Sequence, residues 1–400
     1  MSWNLQTDRP EASTHAQANT LKDGKSYYAG THRVCAPEET LERIRPAFAD
    51  VGLTRLADVT WLDEIGIPVV QAIRPNGKLL SVSQGKGLTK AAAAVSAAME
   101  AIESWHAENL PQGEVRASLF EMQGSIGYRV DSLQLPDRHS LNAHRRLEWT
   151  AAWRIRDGQE TFVPSGYLRL DSRVASRYMP PLFDSSSNGL ASGNTFDEAT
   201  LHALYELIER DAQVESLLGA GPKTLIPETI DGNAGELWAR FRDADVHVTA
   251  AYLPSPTAVP CYMAKIWSDL FPVFFAGSGC HLDRDVALCR ALTEAAQSRI
   301  TAIAGTRDDM TRQQYDDARL HQRTFGGTPT HQLPEGSEDF QATPSISQYL
   351  LADDLALVVD QIEQATEQPV FVADLTRPEI GIPVARAFGP GLRYDPEFPF

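Results

Sequence analysis

The sequence predicts an α+β fold in which mainly antiparallel sheets carry packed helices. Pairs of β-like runs are separated by short turn sequences typical of antiparallel hairpins, such as Asn76-Gly77 and Asp157-Gly158. Each group of such runs is followed by a long, largely apolar run with helical spacing, and this order occurs three times. The three units have no sequence repeat of fixed period, so we predict that they share only the order of strands and helix.

Predicted strands and helices follow one another along most of the chain. The β-like runs lie at 67–74, 78–83, 148–156, 161–170, 247–253, 261–267, 273–279, 370–374 and 384–388. The helical runs lie at about 88–108, 197–218, 284–304 and 347–366, and a shorter helix begins near Pro37. Gly85-Lys86-Gly87 precedes the first long helix, and a loop at 184–193 that is rich in Ser, Asn and Gly precedes the second.

The chain has 400 residues, enough to bury a large core, and we predict one folded domain over residues 26–400. Residues 1–25 are polar and are predicted to form a flexible N-terminal tail. Residues 305–345 are poor in apolar side chains, which predicts a polar insert or lid.

The composition excludes several classes of partner. The formal net charge of -17 disfavours nucleic acid and anionic membranes, because both bind basic surfaces. No apolar stretch is long enough to span a bilayer, and the N-terminal segment lacks the apolar core of a signal peptide. We therefore predict a cytoplasmic protein. The 4 cysteines occur singly, without CxxC pairing, which predicts reduced structural thiols and no zinc site.

The first long helix carries the most informative polar pattern. From Ala91 to Trp105 it is almost wholly apolar, yet Ser96, Glu100 and Glu103 share one narrow line at i, i+4 and i+7. No Lys or Arg stands on that line to pair with the glutamates. Buried carboxylates need hydrogen bonds, cationic partners or metal, so this line predicts a functional site.

The other two long helices carry related patterns. The second bears Glu198, Glu206 and Glu209 among leucines, with Arg210 pointing further round. The third repeats the i, i+4, i+7 spacing with Arg290, Glu294 and Gln297, while Arg299 faces the other side.

Glutamates at helical spacing usually form a solvated face, and that interpretation applies to each helix taken alone. Three such helices together favour a shared acidic cavity. Oxygen ligands without Cys or His clustering then indicate Mg²⁺ rather than zinc.

The segment before the first long helix is not a phosphate-binding loop of the GxxxxGK[ST] type. Its sequence, Gly85-Lys86-Gly87-Leu88-Thr89-Lys90, lacks that spacing. Gly and Lys nevertheless stand just ahead of a helix N-terminus, where backbone amides can receive an anion. The small residues at 185–193 either let backbone N–H groups approach a ligand or form an ordinary turn-rich connection. A magnesium site without a nucleotide is therefore one alternative.

Taken together, these elements resemble the YcaO family. The resemblance covers about residues 30–390, and it depends on the combination of motifs because each motif alone has low specificity. The motifs are Gly85-Lys86-Gly87, the Ser96-x-x-x-Glu100-x-x-Glu103 line, Ser187-Asn188-Gly189-Leu190-Ala191, Glu198 with Glu206-x-x-Glu209-Arg210, and Arg290-Ala291-Leu292-Thr293-Glu294-Ala295-Ala296-Gln297-Ser298-Arg299.

The resemblance implies a YcaO-like fold over residues 26–400, with a nonstandard ATP and Mg²⁺ cavity between the helices. The implied nucleotide contacts are Lys86, Ser96, Glu103, Asn188, Glu198, Arg210 and Arg290. The implied metal ligands, not divided between individual ions, are Glu100, Glu103, Glu206 and Glu209. Arg210 and Arg290 are the implied catalytic residues, which would stabilise the transferring phosphoryl charge. All of these acids are present, which favours a catalytic member of the family.

The implied activity is ATP-dependent activation of a peptide backbone amide, through transfer of the γ-phosphoryl group to the amide oxygen. Attack by an internal Cys, Ser or Thr side chain gives an azoline, whereas attack by external sulfide gives a thioamide.

Two features make thioamide formation slightly favoured. Segments of this chain resemble stand-alone members that pair with a TfuA-like protein, some of which install thioamides. The chain also ends without the PxPxP tail that azoline-forming members often carry. The segments concerned are Gly30-Thr31-His32-Arg33-Val34, Pro37-Glu38-Glu39-Thr40-Leu41 and Asp63-Glu64-Ile65-Gly66-Ile67-Pro68, and the chain ends Tyr394-Asp395-Pro396-Glu397-Phe398-Pro399-Phe400.

The resemblance further implies a peptide or protein substrate, presented by a TfuA-like or other partner protein. A homodimer is expected only from the general frequency of two-fold oligomers. The alternative function, from a different class, is a non-catalytic ATP-binding accessory factor for a sulfur-insertion or methylthiolation system.

Overall fold

The computed structural model describes residues 24–136, 141–171, 182–183, 186–219, 221–269, 271, 273–308, 312 and 335–395. Its helices are α1 (Pro37–Ile44), α2 (Lys90–Glu108), α3 (Leu119–Met122), α4 (Ser165–Leu168), α5 (Phe196–Leu218), α6 (Gly232–Asp243), α7 (Arg284–Ala304) and α8 (Leu351–Thr366). Its strands are β1 (Arg55–Asp58), β2 (Val69–Ile73), β3 (Val82–Lys86), β4 (Val115–Ser118), β5 (Arg146–Arg154), β6 (Glu160–Pro164), β7 (Leu190–Ser192), β8 (Lys223–Thr224), β9 (His247–Tyr252), β10 (Cys261–Trp267), β11 (Phe275–Cys280), β12 (Phe371–Asp374) and β13 (Val384–Phe388).

In the described ranges the strands form three sheets. The first has the order β1-β2-β3 and the second the order β11-β10-β9-β8. The third has the order β4-β5-β12-β13-β7, with β6 paired to β5. All pairings between these strands are antiparallel, and helices pack on each sheet. The predicted α+β class with mainly antiparallel sheets is therefore confirmed.

The predicted hairpin at Asp157-Gly158 is present between β5 and β6. Gly158 has a φ of 68°, a left-handed conformation that favours glycine. The backbone N–H of Arg154 donates to the carbonyl of Gln159 at 2.9 Å and closes the turn. The second strand ends at Pro164 instead of continuing to 170, because the chain turns there into α4.

The predicted hairpin at Asn76-Gly77 is also present, but its second strand starts later than expected. The N–H of Arg74 donates to the carbonyl of Ser81 at 2.7 Å, and that of Gly77 donates to the carbonyl of Arg74 at 3.0 Å. The strand β3 therefore begins at Val82, and the predicted strand at 78–83 is wrong in its boundaries. The physical reason is that the turn hydrogen bonds occupy residues up to Ser81.

A close approach of helix and strand explains why Gly85 lies inside β3 and not in a loop. A Cβ atom at Gly85 would lie 2.0 Å from the backbone nitrogen of Ala97 in α2. Likewise, a Cβ at Gly279 in β11 would lie 2.1 Å from the carbonyl oxygen of Ala287 in α7. Only glycine permits such contacts between a strand and a helix backbone. These glycines hold α2 and α7 directly against their sheets.

The starts of the three long helices agree with the prediction to within about two residues, the usual uncertainty of helix ends. Side-chain oxygens cap their N-termini: Thr89 caps α2, Thr195 caps α5 and Asp283 caps α7. The helix α7 ends at Ala304, and Gly305 caps it with a left-handed φ of 59°.

The N-terminal boundary of the folded domain differs slightly from the prediction. Lys25, the last residue of the predicted tail, is only 2% exposed. Its ammonium donates to the Ser347 hydroxyl at 2.7 Å and pairs with the buried carboxylate of Asp354. This end of the predicted tail is therefore anchored in the fold, since a buried ammonium needs such partners. Residues 1–23 of the predicted tail lie outside the described residues.

The predicted insert at 305–345 is described only at its two ends, and residues 309–311 and 313–334 lie outside the described residues. At its C-terminal end, Phe340 is fully buried beside Tyr262. Glu338 forms an isolated parallel bridge with Leu225. This end of the segment is thus packed against the second sheet.

None of the helices in the described ranges is both long enough and apolar enough to cross a bilayer. The thiols of Cys35, Cys261, Cys280 and Cys289 are all buried, and none of them forms a disulfide.

The contact at Gly85 gives a first prediction. Gly85→Ala should lower the free energy of unfolding by about 3 kcal/mol, because the added methyl group collides with the α2 backbone. Urea denaturation followed by circular dichroism measures this loss. Gly124→Ala is the matched control, since nothing lies within 4 Å of a Cβ at Gly124. Equal stabilities of the two variants would contradict the proposed packing.

Candidate functional site

A cavity of about 700 Å³ opens between α2, α5 and α7, with β7 and the end of β3 at its sides. Its volume falls in the range of pockets for small-molecule and cofactor ligands. Nearly all the predicted site residues line it, namely Lys86, Ser96, Glu100, Glu103, Glu198, Glu206, Glu209, Arg210 and Arg290. The structure therefore brings together residues that are more than 200 positions apart in the chain.

Asn188 is the predicted site residue that does not line this cavity. It is buried, although its neighbours Ser187 and Leu190 do line the cavity. Its side-chain oxygen Oδ1 has no hydrogen-bond partner among the described residues. A buried acceptor without a partner is costly, so this atom is a position where a further hydrogen-bond donor would be stabilising.

The α2 acids face the cavity as the helical spacing predicts. The carboxylate of Glu103 accepts hydrogen bonds from the Ser192 backbone N–H at 2.9 Å and from the Ser192 hydroxyl at 2.6 Å. Burial raises the pKa of Glu103 to about 8 despite these bonds, and the charge of Glu100 adds to the effect. Burial likewise raises the pKa of Glu100 to about 7.

Glu198, at the start of α5, ties the N-terminal segment to the site. Its carboxylate accepts hydrogen bonds from the Val34 N–H at 3.0 Å and from the side-chain amide of Asn194 at 3.0 Å. The Arg33 Nε atom lies 3.8 Å from the same carboxylate. Arg33 lines the cavity as well and is thereby added to the predicted set.

About two helical turns further along, α5 presents a cluster of two acids and an arginine. Burial raises the pKa of Glu206 to about 7, although the charge of Arg210 opposes this. The Glu209 carboxylate accepts a hydrogen bond from the Ser278 hydroxyl at 2.7 Å. The Arg210 Nη1 atom lies 3.8 Å from that same carboxylate.

On α7, Arg290 and Glu294 both line the cavity, and Arg299 does not. The Arg290 Nε atom is buried, and no described residue forms a hydrogen bond with it. Glu294 pairs with Lys86, and the positive charges of Lys86 and Arg210 outweigh burial and lower the pKa of this carboxyl. Arg299 forms a buried ion pair with Asp63, so it is structural, as its place on the other helix face predicted.

Several cavity residues were not in the predicted set. The sequence could have indicated Glu294 and Gln297, because they continue the helical line from Arg290. No sequence pattern indicated Arg33 or Ser192. These residues reach the cavity through long-range packing, which a single sequence does not reveal. His202 also lines the cavity, and burial holds its pKa well below the usual value, so its imidazole is neutral.

The electrostatics of the cavity fit a polyphosphate with divalent cations. Burial raises the pKa of the Glu100, Glu103 and Glu206 carboxyl groups, because their ionised forms are poorly solvated. A bound cation would stabilise the ionised forms. Arginines on α5 and α7 offer donors to phosphate oxygens. Carboxylate oxygens without thiolates are the donors that Mg²⁺ prefers.

The described side chains do not form a complete metal cage by themselves. Within the described ranges, no three His, Cys, Asp or Glu side chains converge closely enough to hold an ion. This arrangement suits Mg²⁺, which usually binds one or two protein carboxylates and takes its other ligands from phosphates and water. The unpaired polar atoms of Asn188 and Arg290 are consistent with a ligand in the same place.

Comparison with known proteins agrees with this chemistry. The sequence model of the YcaO family, described as a cyclodehydratase that binds ATP and Mg²⁺, matches residues 84–393. The chain is 37% identical over 370 residues to an uncharacterised protein of Mycobacterium tuberculosis, covering 91% of this chain and 83% of the relative. It is 33% identical over 406 residues to a Rhizobium leguminosarum bv. trifolii protein described as lying in the tfuA 3′ region, covering 94% of this chain and 93% of the relative.

Solved structures show the same fold. The YcaO protein from Methanopyrus kandleri, solved with AMPPCP and Mg²⁺, superposes with a TM-score of 0.72 at 23% identity, covering 93% of this chain and 95% of that one. A heterocyclase solved with substrate and cofactor superposes with a TM-score of 0.74 at 21% identity. The match covers 95% of this chain and 55% of the heterocyclase, so this chain spans about half its length. The chain described here therefore belongs to the YcaO family of ATP- and Mg²⁺-dependent proteins.

Proposed function

We propose that this protein uses Mg-ATP to activate a backbone amide of a peptide or protein, and that the product is a thioamide. The observation that carries the proposal is the cavity in which acids from α2 and α5 face arginines from α5 and α7. Members of the YcaO family are ATP-dependent enzymes that modify peptides. All the predicted acidic residues are present in the cavity, which favours an enzyme over a non-catalytic accessory factor.

The proposed ligand sets follow from the residues present. Magnesium would be held by Glu100, Glu103, Glu206 and Glu209, where it would neutralise phosphate charge. The nucleotide would be contacted by Lys86, Ser96, Glu103, Asn188, Glu198, Arg210 and Arg290, with Arg33 as an addition from the structure. Arg210 and Arg290 are the proposed catalytic residues, because a guanidinium can donate two hydrogen bonds to a phosphoryl group as its charge redistributes.

The proposed reaction consumes a backbone amide, hydrosulfide and ATP, and it needs no other reagent. Hydrosulfide adds to the amide carbon. The amide oxygen then accepts the γ-phosphoryl group of ATP, and the bond between that group and ADP breaks. The C–O bond then breaks, and the sulfur loses its proton to the departing phosphate as C=S forms. The products are a thioamide, ADP and hydrogen phosphate. The chain's own residues bind and orient these reactants and exclude water.

Thioamide formation is proposed ahead of azoline formation because of the relative from the tfuA 3′ region. The segments at 30–34, 37–41 and 63–68, which resemble TfuA-paired members, lie within the region that this relative matches. We propose a TfuA-like protein as the partner that presents the substrate. Azoline formation is the second candidate, since a neighbour in fold is described as a heterocyclase.

Intact-mass analysis tests the product directly. Candidate peptides encoded near the gene would be incubated with the protein, the neighbour-encoded partner, Mg-ATP and sulfide. Exchange of oxygen for sulfur adds about 16 Da per site, whereas cyclodehydration removes about 18 Da. A gain supports the proposal, and a loss supports the second candidate. An unchanged mass despite nucleotide binding would favour the accessory-factor alternative.

The metal ligands give a second prediction. Glu100→Gln and Glu206→Gln should each lower ATP turnover about 100-fold or more, because an amide cannot replace a carboxylate that neutralises a cation. Both variants should stay folded, since neither carboxyl has an ion-pair partner among the described residues. Phosphate release measures turnover, and Glu42→Gln, on an exposed face of α1, is the matched control. Wild-type turnover in either folded variant would remove that residue from the proposed metal site.

The raised pKa values give a third prediction. Below about pH 4.5 the protonated forms of Glu100, Glu103 and Glu206 stabilise the ligand-free fold, and this contribution is lost as the pH rises through about 7 to 8. Metal binding requires the ionised carboxylates, so it should release protons near neutral pH. The rise in Tm caused by Mg-ATP should therefore be larger at about pH 8.5 than at about pH 6.5. Equal rises at both pH values would contradict the assignment.

A further inference from the structure

The cavity extends along α2, and the positions of its lining residues on that helix show how its length is divided. The lining residues of α2 run from Ala92 to Ser104, which is about 18 Å of helix at about 1.5 Å per residue. Glu100 and Glu103, two of the proposed metal ligands, lie in the last third of that span. About 12 Å of the cavity therefore lies on the N-terminal side of Glu100, whereas Ser104 follows Glu103 directly.

The longer part of the cavity lies between the start of α2 and the N-terminal segment of the domain. Gly30 in that segment lies beside the Leu88 side chain, just ahead of α2. Pro37 and Thr40, at the start of α1, are buried and line the cavity. This part offers apolar surface and buried polar groups together, which is the usual composition of a cofactor pocket. A nucleoside, which is longer than one helical turn of about 5.4 Å, fits into it.

The β2–β3 hairpin bounds the other end of the cavity. The backbone N–H of Leu79 donates to the Glu108 carboxylate at 3.1 Å, and Glu108 lies about one helical turn beyond Ser104. The Lys78 ammonium donates to the backbone carbonyl of Glu108 at 2.7 Å and holds the hairpin there. The space between the proposed metal ligands and the hairpin is therefore short, and a nucleoside is too long for it.

The walls of this short end are mainly apolar. Leu79 and Leu80 line it from the hairpin, and both are half-buried. Leu79 also packs against the hydrophobic core beneath the first sheet, whereas Leu80 belongs to no hydrophobic cluster of the described residues. The apolar surface that these leucines leave open favours an apolar ligand group, because contact with such a group removes the surface from water.

We propose that this short end is the substrate subsite, in which Leu79 and Leu80 contact an apolar side chain of the peptide next to the reacting amide. The inference rests on the proposed function, because the proposed metal ligands fix where the phosphates lie. With the nucleoside in the longer part, the terminal phosphoryl group points toward the hairpin. The amide oxygen that accepts it then lies beside Leu80. The preferred substrates are peptides with an apolar residue at the modified position.

Two bulky substitutions test how the nucleotide divides the cavity. Val95→Trp, in the longer part, should weaken binding of AMPPCP with Mg²⁺ about 10-fold, because the indole fills space assigned to the nucleoside. Leu80→Trp, at the hairpin, should change that affinity less than about 2-fold. Isothermal titration measures both affinities, and circular dichroism confirms folding. Should Val95→Trp not fold, Ala92→Leu in the same part takes its place. The reverse pattern of affinities would overturn the inference.

Capped amino acid amides test the subsite itself. N-acetylleucinamide and N-acetylglycinamide carry the same two amide groups and differ only in the side chain between them. With AMPPCP and Mg²⁺ bound, a titration followed by saturation-transfer NMR should give a Kd about 10-fold lower for the leucine compound. Leu80→Ser should remove most of this preference, and Leu80→Met should retain it. Leu217→Ser, which changes a leucine that is 58% exposed, is the matched control and should bind both amides like the wild type.

The outcomes separate this inference from the function on which it rests. Equal affinities for the two amides, or a preference that survives Leu80→Ser, would overturn the subsite and leave the proposed function standing. The same conclusion follows if wild-type protein loaded with AMPPCP and Mg²⁺ binds neither amide. A wild-type protein that does not bind AMPPCP with Mg²⁺ would overturn the proposed function itself.

Discussion

The site depends on one electrostatic constraint, which is that glutamates and arginines share a cavity where bulk water solvates them poorly. An ionised carboxylate is costly there unless a cation or hydrogen bonds compensate it. The protein supplies part of that compensation, through Lys86 on Glu294 and Ser192 on Glu103. For Glu100, Glu103 and Glu206 the compensation is incomplete, and burial keeps the pKa of each carboxyl raised. The YcaO family binds ATP and Mg²⁺, and a divalent cation bound at these carboxylates would supply the missing positive charge.

The scaffold exists to hold three helix faces around that cavity. Glycines in β3 and β11 let α2 and α7 lie directly on their sheets, so that side chains next to these contacts reach a common space. The N-terminal segment closes one side, because its Val34 N–H binds the Glu198 carboxylate. Arg307, in the segment after α7, also lines the cavity. The polar residues come from separate parts of the chain, while apolar packing fixes their distances.

Helical periodicity predicted the shared cavity, because three long helices each carry acids or arginines in line among apolar residues. Glu100, Glu103, Glu206 and Glu209 all line the cavity for that reason. Periodicity failed where position depends on long-range contacts, as for Arg33, which meets an acid 165 positions along the chain. The strand β3 was misplaced because Gly85 looks like a loop residue until the neighbouring helix is known.

The most direct measurement is a crystal structure with a non-hydrolysable ATP analogue and with Mn²⁺ in place of Mg²⁺, so that anomalous scattering locates the metal. We expect metal peaks about 2.2 Å from carboxylate oxygens of the α2 and α5 glutamates and from phosphate oxygens of the analogue. The terminal phosphoryl group should face Arg210 or Arg290. An analogue bound outside the cavity, or bound within it with no metal between the phosphates and these glutamates, would contradict the central claim.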